Sequence, residues 1–377
     1  MSQTCCPSRP ERCCPDTKTE IPFVRVPVKA ENLPSSVTGE VQSAIGSIPR
    51  VTSELTFADR VGMWKARWGI SRMDYTVYPG LYAVGDPGPD SEVLVTANYR
   101  MTFDLLRRAV SGLDLWVLVL DTKGINVWCA AGKGTFGTDE LVRRIESAGL
   151  RSVVNHRRII VPQLGAVGVA AHKVKEITGF RVIYGPVEMT DLKPFFASGR
   201  RATPAMRKKQ FPLSERAAIA PMELIPAAKW VVAFTFVLAT VAGLAGPGSL
   251  LDDAARFGLE AFLLLSLAVV SGAILAPLFL PWLPGRAFAI KGAVTGAAVS
   301  FMLPLASSFP ATRLAAWSLI IVALSSFLAM NFTGSSTYTS LSGVKKEMKE
   351  AVPFQAGAGT VGLLLWVVSL IKAGGGA

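Results

Sequence analysis

The chain has 377 residues, half of them hydrophobic, and 39 basic against 27 acidic residues give it a formal net charge of +12. Its mean hydropathy of +0.40 argues against a wholly soluble protein. The apolar residues are concentrated beyond about residue 223, where long apolar runs alternate with short polar loops. The composition therefore predicts a water-soluble part followed by a membrane part.

The distribution of basic residues indicates a membrane protein rather than a nucleic-acid-binding protein. Aromatic residues that could stack on bases are not interleaved with a basic face. Instead, six basic residues cluster just ahead of the first long apolar run: Arg200, Arg201, Arg207, Lys208, Lys209 and Arg216. We therefore expect the positive charge to orient the chain in a lipid bilayer, with no nucleic acid among its partners.

The N-terminal arm, residues 1–50, is rich in Pro, Ser and Thr and is expected to be poorly ordered. It lacks an apolar signal-peptide core, so we expect the soluble part in the reducing cytoplasm, with free thiols. Adjacent thiols are soft ligands suited to Hg(II). Four of the five cysteines are therefore candidate mercury ligands, the alternative being a tail without a metal site: Cys5, Cys6, Cys13 and Cys14.

Residues 51–200 are predicted to form an α/β domain. Apolar runs and helical periodicities alternate along it, which is typical of a largely parallel sheet with ligands at the carboxyl ends of its strands. In chain order we predict strands at 80–85 and 91–99, a helix at 101–112, a strand at 115–122, a helix at 138–149 that begins on a Thr cap, a strand and turn at 157–166, a helix at 167–179 and a strand at 180–187.

Five apolar stretches follow a basic juxtamembrane linker at 201–228, and they predict a five-helix transmembrane domain over 229–377. Each is close to the ~20 residues that a helix needs to cross hydrocarbon; a buried all-helical core is the alternative. The stretches are 229–248, 257–282, 286–305, 313–333 and 354–372.

The loops between these stretches predict an orientation. Lys and Arg fall in alternate loops, with Arg286 and Lys291 after the second stretch and three lysines after the fourth. The positive-inside rule then places the α/β domain in the cytoplasm and the C-terminus in the periplasm, as in a multi-pass protein of the cytoplasmic (inner) membrane.

The glycine-rich segment GKGTFG (132–137) has the G-x-G-x-x-G pattern of a dinucleotide site, but its context differs. That site requires the pattern directly after a strand and an acidic residue about twenty positions later. Here the strand ends near Asp121, ten residues too early, and position 155 is Asn. A phosphate-binding loop is therefore not predicted.

The segment INVWCAAGKG (125–134) carries the strongest candidate for chemistry. A lone cysteine is usually a small inert core residue. Cys129, however, follows a predicted buried strand at the ligand-binding end of the sheet. The next residues, Ala130, Ala131 and Gly132, have almost no side chain, which would let a large flat ligand approach the backbone.

NVWCAAGK (126–133) matches at every position the cap-helix signature of the corrinoid protein of bacterial mercury methylation, and the chain resembles that family. VLVTANY (93–99) is similar to the related corrinoid domain of the corrinoid iron–sulfur protein of acetyl-CoA synthesis. The five-span arrangement and MNFTGSSTYTSLSGVKKEM (330–348) extend the resemblance from about residue 50 to the end. The cysteine-rich arm departs from the family pattern.

The resemblance implies a Rossmann-like corrinoid-binding domain, with cobalamin as the cofactor and the Cys129 thiolate as the lower ligand of its cobalt. Other cobalamin proteins use a histidine in D-x-H-x-x-G, a pattern that neither His156 nor His172 fits. The implied cofactor-binding residues include the cap, two residues of the neighbouring strand end and one that holds the nucleotide tail: Asn126, Val127, Trp128, Cys129, Ala130, Ala131, Gly132 and Lys133; Thr96 and Asn98; and Gly165.

The implied function is that of a mercury methyltransferase with Cys129 as its catalytic residue. It would transfer a methyl group, as a carbanion equivalent, from a Cys-ligated methylcorrinoid to Hg(II), giving methylmercury. The resemblance also implies a ferredoxin-like iron–sulfur protein as reductant and a methyl donor from anaerobic one-carbon metabolism.

Two alternatives remain open. One is a corrinoid methyl carrier of one-carbon metabolism that does not act on mercury. The other is a transporter or receptor with a cytoplasmic sensing domain, which predicts charged or helix-breaking sites at the bilayer midplane. The apolar stretches contain Pro277, Pro304 and glycines, but no mid-span acidic residue.

Overall fold

The computed structural model describes residues 34–332 and 341–374. An α/β domain comes first, and five long apolar helices follow it, as the sequence predicts. The domain contains one sheet of seven strands: β1 (Val37–Ser43), β2 (Gly46–Val51), β3 (Gly80–Val84), β4 (Val93–Ala97), β5 (Leu115–Leu120), β6 (Arg158–Val161) and β7 (Arg181–Tyr184).

Seven helices belong to this domain. Short 3-10 turns at Gln163–Gly165 and Met189–Asp191 join some of them to the strands. The helices are α1 (Phe57–Arg67), α2 (Arg100–Ala109), α3 (Val127–Lys133), α4 (Thr138–Ser147), α5 (Leu150–Val153), α6 (Ala171–Thr178) and α7 (Leu192–Ala197).

The sheet has the strand order β1-β2-β3-β5-β4-β6-β7. The four strands β5, β4, β6 and β7 are mutually parallel, which confirms the predicted parallel sheet for this half. The other half is mixed, because β3 runs antiparallel to β5 and β1 runs antiparallel to β2. Strands β4 and β6 are neighbours whose connections lead in opposite directions, so a topological switch point lies between them, where α/β sheets bind ligands.

The folded domain begins earlier than predicted, because residues 37–51 form the β1–β2 hairpin instead of belonging to the N-terminal arm. Val41 and Ile48 face each other across the hairpin and are buried in the domain core. Gly46, with φ +112°, makes the tight turn between the strands. The sequence did not predict this hairpin, because its alternation of apolar and polar residues is short and lies in a segment rich in Pro, Ser and Thr.

Two helix starts also differ from the prediction. Gly137, and not Thr138, is the N-cap of α4. The Thr138 hydroxyl instead accepts a hydrogen bond of 2.9 Å from the Ala170 backbone N–H. That bond ties the start of α4 to the segment before α6, which begins at Ala171 rather than at 167.

Helices cover both faces of the sheet. The helices α3 to α6 pack on one face, where Leu118, Leu120 and Val161 contribute to a first core. The opposite face carries α2 and α7, whose Phe103 and Phe195 are fully buried in a second core. The carboxyl ends of the parallel strands thus lie between two helical layers.

Among the described residues, five helices are long and apolar enough to cross a membrane. The first begins at Leu213, so the second half of the predicted linker is helical and continuous with the first span. The five comprise α8 (Leu213–Ala245); α9 (Leu250–Val269), which continues through a π-helical turn (Val270–Leu275) into α10 (Ala276–Leu278); α11 (Phe288–Ala306); α12 (Ala311–Asn331); and α13 (Leu341–Gly374).

Glycines allow these helices to pack closely. A Cβ on Gly272 would lie 2.7 Å from the Ser325 carbonyl oxygen of α12, and one on Gly296 would lie 2.9 Å from the Val322 Cα. A Cβ on Gly258 would lie 2.8 Å from the Ala239 Cβ of α8. Small residues at such contacts are characteristic of membrane helix interfaces, where packing drives association.

Candidate functional site

Helix α3 presents Cys129 at the carboxyl edge of the sheet. It follows β5 after a six-residue loop, and Asn126 is its N-cap. The Asn126 side-chain oxygen accepts a hydrogen bond of 2.9 Å from the Cys129 backbone N–H. Gly134, with φ +82°, ends the helix in the left-handed conformation that glycine favours. The thiol-bearing residue is therefore fixed in the first turn of a short, capped helix.

Asn98 supports the loop that leads to this helix. Its side-chain oxygen accepts hydrogen bonds from the Thr122 N–H at 3.1 Å, the Thr122 hydroxyl at 2.8 Å and the Gly124 N–H at 3.0 Å. Asn98 is buried, and it lies outside the cavity that contains Cys129. It therefore supports the loop that leads to α3, and it lines a second, smaller cavity together with Asp121.

A cavity of about 510 Å3 lies at the carboxyl ends of β4, β6 and β7, next to the switch point. Its volume is within the ~300–1,000 Å3 of small-molecule and cofactor sites, and its wall is mostly apolar. The wall contains residues of β4, of the 3-10 turn after β6, of α2 and of the segment after β7. Five of the predicted site residues meet in this wall: Thr96, Asn126, Val127, Trp128 and Cys129.

The remaining predicted residues of the described chain lie elsewhere. Ala130 and Ala131 are buried in the core, so their small size serves the packing of α3 rather than a cavity wall. Gly132 and Lys133 are exposed at the far end of α3. Gly165 lies against Phe136, whose Cε1 would be 2.5 Å from an added Cβ.

The candidate mercury ligands Cys5, Cys6, Cys13 and Cys14 lie outside the described residues, as do 333–340 of the segment 330–348.

Two parts of the cavity wall come from elements that the sequence did not predict to lie at the site. Arg67 and Arg72 contribute from the end of α1 and the turn after it. Glu215, Ala218 and Met222 contribute from α8, so the first apolar helix forms part of the site. The capping box of Thr56 and Asp59 is a signal in the sequence for the start of α1. The position of this helix beside the cavity depends on tertiary packing.

Lys209 joins the cavity rim to the first apolar helix. Its ammonium donates hydrogen bonds to Glu188 at 2.6 Å and to Glu215 at 2.7 Å. Burial alone would lower the pKa of Lys209, but these two carboxylates raise it above its ordinary value. The lysine therefore remains a cation that links two acidic residues across the rim.

The chemistry of the wall fits a cofactor that brings its own metal. Cys129 is half-buried and is the free cysteine of the described chain. In the residues that the structure describes, no group of three or more His, Cys, Asp or Glu side chains could hold a metal ion alone. A metal already coordinated by a flat ligand can accept one further donor from the protein, and a thiolate is a soft ligand suited to that position.

Residues 70–195 match the family described as CO dehydrogenase/acetyl-CoA synthase delta subunit. The gamma subunit of the acetyl-CoA decarbonylase/synthase complex of Archaeoglobus fulgidus is 33% identical over 124 residues, which cover 32% of this chain and 26% of the relative. The corresponding subunit of Methanopyrus kandleri is 32% identical over 121 residues, again 32% of this chain and 26% of the relative.

These matches relate the α/β domain to proteins of acetyl-CoA metabolism, which supports that part of the resemblance. The chain spans about a quarter of the length of these relatives. The family match contains the whole cap segment 126–133 and ends at residue 195, before the first apolar helix. The names of the relatives refer to acetyl-CoA decarbonylase/synthase, and not to mercury.

Proposed function

We propose that the chain is a membrane-anchored, corrinoid-dependent methyl-transfer protein in which the Cys129 thiolate is the protein ligand of cobalt. The observation that carries this proposal is the position of Cys129 on a capped helix, facing an apolar cavity at the switch point of the sheet. The relationship of the domain to acetyl-CoA synthase subunits supports the choice of cofactor class.

The predicted site residues in the cavity wall have distinct roles in this proposal. Asn126 holds the Cys129 backbone through the cap bond, so the residue that carries the thiol keeps one position. Val127 and Trp128 precede the thiol on the same helix and contribute apolar surface that excludes water. Thr96, at the end of β4, places a hydroxyl in a wall that is otherwise largely apolar.

When bound, the corrinoid supplies a methyl group that can leave with the bonding electron pair, so that an electrophile such as Hg(II) is methylated and the cobalt is left oxidised. We propose Hg(II) as the acceptor because the cap segment 126–133 has the signature of the mercury-methylating family. A thiolate donates more charge to cobalt than an imidazole does, and Cys129 thereby favours this direction of transfer. A ferredoxin-like iron–sulfur protein is the proposed reductant.

The alternative is a corrinoid methyl carrier of one-carbon metabolism that does not act on mercury. It is favoured by the names of the relatives, which are subunits of acetyl-CoA decarbonylase/synthase complexes. In that case the acceptor is a nucleophile, and the methyl group is transferred without its bonding electron pair. The two proposals share the cavity and Cys129, and they differ in the acceptor.

The experiment uses the full chain in lipid, reconstituted with methylcobalamin. Cys129→Ala should shift the visible absorption bands of the bound cofactor and abolish methylmercury formation from Hg(II). Cys129→His should restore a protein ligand to the cobalt and only part of the activity. Thr135→Ala is the matched control, because it removes a small half-buried side chain just beyond α3 and outside the cavity wall.

The outcomes separate the proposals. Wild-type activity and an unchanged spectrum in Cys129→Ala would reject cobalt ligation by this thiol. Normal cofactor binding without methylmercury formation, together with methyl transfer to a nucleophilic thiol acceptor, would support the alternative.

We further propose that the N-terminal cysteines capture Hg(II) for the site, since paired thiolates are soft ligands. Replacing all four with Ala should slow methylmercury formation at low Hg(II) concentration and leave cobalamin binding unchanged. Equal rates at every Hg(II) concentration would remove this role. The four residues are Cys5, Cys6, Cys13 and Cys14.

A further inference from the structure

The outer face of α1 is unusually aromatic for the surface of an α/β domain. Phe57 is 82% exposed, Trp64 66% and Trp68 45%, and the two indole rings stack with centroids 6.0 Å apart. Ile70 and Met73 extend this surface into the following turn. We call these five residues the aromatic face. Contiguous exposed apolar surface of this kind marks an interaction site.

The orientation of the aromatic face is fixed by the opposite side of the helix. Asp59, Met63 and Ala66 are buried on that side. The Asp59 carboxylate accepts a hydrogen bond of 2.7 Å from the Arg107 guanidinium of α2, and both side chains are fully buried. Because α1 is anchored in this way, its tryptophans are held outward.

The aromatic face lies close to the level at which the apolar helices end. Arg72, in the turn after α1, donates a hydrogen bond of 3.0 Å to the Met222 sulfur of α8. On the same helix, Arg216 donates to the carbonyl of Pro277 at 3.4 Å, so residue 216 is level with the end of the second span. Met222 lies six positions after Arg216, which corresponds to about 9 Å along a helix. The turn after α1 therefore contacts α8 within about two helical turns of the end of the second span.

Other aromatic residues occur at this level. Phe279 and Trp282, just after α10, are 50% and 70% exposed. The Arg216 guanidinium lies over the Trp282 ring, 5.6 Å from its centroid. Tryptophans with neighbouring cations are typical of the interface between hydrocarbon and water, where an indole has one apolar side and one polar group.

The charges around the aromatic face complement anionic lipid headgroups. Arg60 and Lys65 are exposed on α1, and Arg67 and Arg72 are half-exposed nearby. The acidic residue of this helix, Asp59, is buried and paired, and the four cations outnumber Asp74, the exposed acidic residue of the following turn. An aromatic surface bordered by cations is the composition of helices that lie in the plane of a membrane surface.

We propose that the aromatic face of α1 inserts into the interfacial layer of an anionic lipid bilayer, in the leaflet adjoining the α/β domain. The domain is thereby held by the lipid as well as by the chain connection to α8. Arg67 and Arg72 also line the cavity, so lipid contact fixes the cavity wall next to the membrane. This proposal rests on the apolar helices crossing the bilayer, and not on the identity of the cofactor.

Photocrosslinking of the full chain tests the contact. The photoreactive residue p-benzoylphenylalanine replaces Trp64 or Trp68 in protein reconstituted into liposomes of phosphatidylethanolamine and phosphatidylglycerol. Ile177 is the matched control, because it is 55% exposed near the carboxyl end of α6. It lies at the amino ends of the parallel strands, whereas the cavity lies at their carboxyl ends. Phe236, 75% exposed on α8, is the positive control for lipid contact.

We expect mass-spectrometric detection of phospholipid adducts at positions 64 and 68, several-fold above those at 177, with phosphatidylglycerol enriched over its share of the bilayer. Adducts at 236 but none at 64 or 68 would overturn the proposal. Adducts at 64 or 68 to a second copy of the chain or to an added ferredoxin, instead of lipid, would also overturn it. An absence of adducts at 236 would contradict the membrane crossing itself.

Discussion

Two asparagine side chains hold the backbone around Cys129. Asn126 caps the first turn of α3, and Asn98 accepts three hydrogen bonds from the loop before it. A buried donor that loses its acceptor costs about 1–3 kcal/mol, so these amide oxygens account for much of the local order. The position of the thiol thus depends on groups at both ends of the loop between β5 and α3.

The Asn126 cap leads to a prediction about this helix. Asn126→Ala removes the acceptor for the Cys129 N–H, which should destabilise α3 by about 1 kcal/mol. Asn126→Ser restores a capping oxygen and should recover most of this loss. Hydrogen exchange measured over residues 127–133 should be faster in the Ala variant and close to wild type in the Ser variant. Equal exchange in all three proteins would contradict a capping role.

The sequence predicted some residues of the cavity wall better than others. Cys129 and Asn126 could be predicted because they belong to one short motif that follows a buried strand. Ala130 and Ala131 occur in the same motif, but the pitch of the helix turns them into the core. A contiguous motif does not show which residues face a ligand, since that depends on the packing of its helix.

At the scale of elements, a buried ion network joins α1 to α2. Arg107 donates to Asp59 at 2.7 Å and to Asp104 at 2.8 Å, and Arg100 donates to Asp59 at 2.9 Å. Burial alone would raise the pKa of Asp59, but hydrogen bonds from Thr56 and Arg100 and the charge of Arg107 hold it below the ordinary value of 3.8. Burial raises the pKa of Asp104, and Arg107 offsets this only in part.

The two aspartates should therefore differ in their effect on stability. A lowered pKa means that Asp59 stabilises the fold above pH 3.8 and that this contribution is lost as the pH falls through its folded-state pKa. For Asp104 the sign is opposite, because a raised pKa opposes the charged form at neutral pH. Asp59→Asn should cost about 3 kcal/mol at pH 7, near the lower end for a broken buried pair.

Hydrogen exchange of the α2 amides as a function of pH measures these effects. We expect Asp104→Asn to cost clearly less than Asp59→Asn at pH 7. The difference between wild type and Asp59→Asn should shrink as the pH falls below 3.8. A difference that is constant with pH, or an equal cost for the two variants, would contradict the assigned pKa directions.

The contact between α11 and α12 depends on glycines, which leads to a prediction for the membrane helices. A Cβ on Gly292 would collide with the Ser325 carbonyl oxygen and would lie 2.9 Å from the Ser326 Cα. Gly292→Ala should therefore destabilise the helix bundle by about 1–3 kcal/mol, the usual cost of overpacking. This loss of stability is measured by heating the protein in detergent and recording the temperature at which monodisperse protein is lost.

Gly357 provides the matched control, because it lies in α13 and has nothing within 4 Å of an added Cβ. Both substitutions carry the same gain in intrinsic helix propensity, so their difference isolates packing. Gly357→Ala should leave the inactivation temperature unchanged or slightly higher. Equal effects of the two substitutions would show that the helices do not pack as described.

At the scale of the whole molecule, the order of β3 to β7 and of the five apolar helices followed from the sequence, but the hairpin, α1, α5 and α7 and the contacts between distant elements did not. The strands β3 to β7 and the five apolar helices have strong local patterns, either buried runs or long apolar stretches. The β1–β2 hairpin was missed because its pattern is short and polar on one face. The contact of Arg72 with Met222 joins residues 150 positions apart, and no local pattern encodes it.

The orientation of the chain in the membrane is the last prediction. Arg286 follows the second span, and Lys345, Lys346 and Lys349 lie near the start of the fifth. On the opposite side, Arg313 lies 3.5 Å from Glu260, which offsets its charge. The positive-inside rule then places the α/β domain in the cytoplasm and the C-terminus in the periplasm.

Reporter fusions test this orientation. A phosphatase that is active only in the periplasm should be active when fused after Ala377 and inactive when fused after Val344. A fluorescent protein that folds only in the cytoplasm should give the reverse pattern at the same two positions, which controls for expression. Because one span separates the fusion points, activity on the same side at both would reject the five-span arrangement. A complete reversal would keep the five spans but place the α/β domain, with Cys129, on the periplasmic side of the membrane.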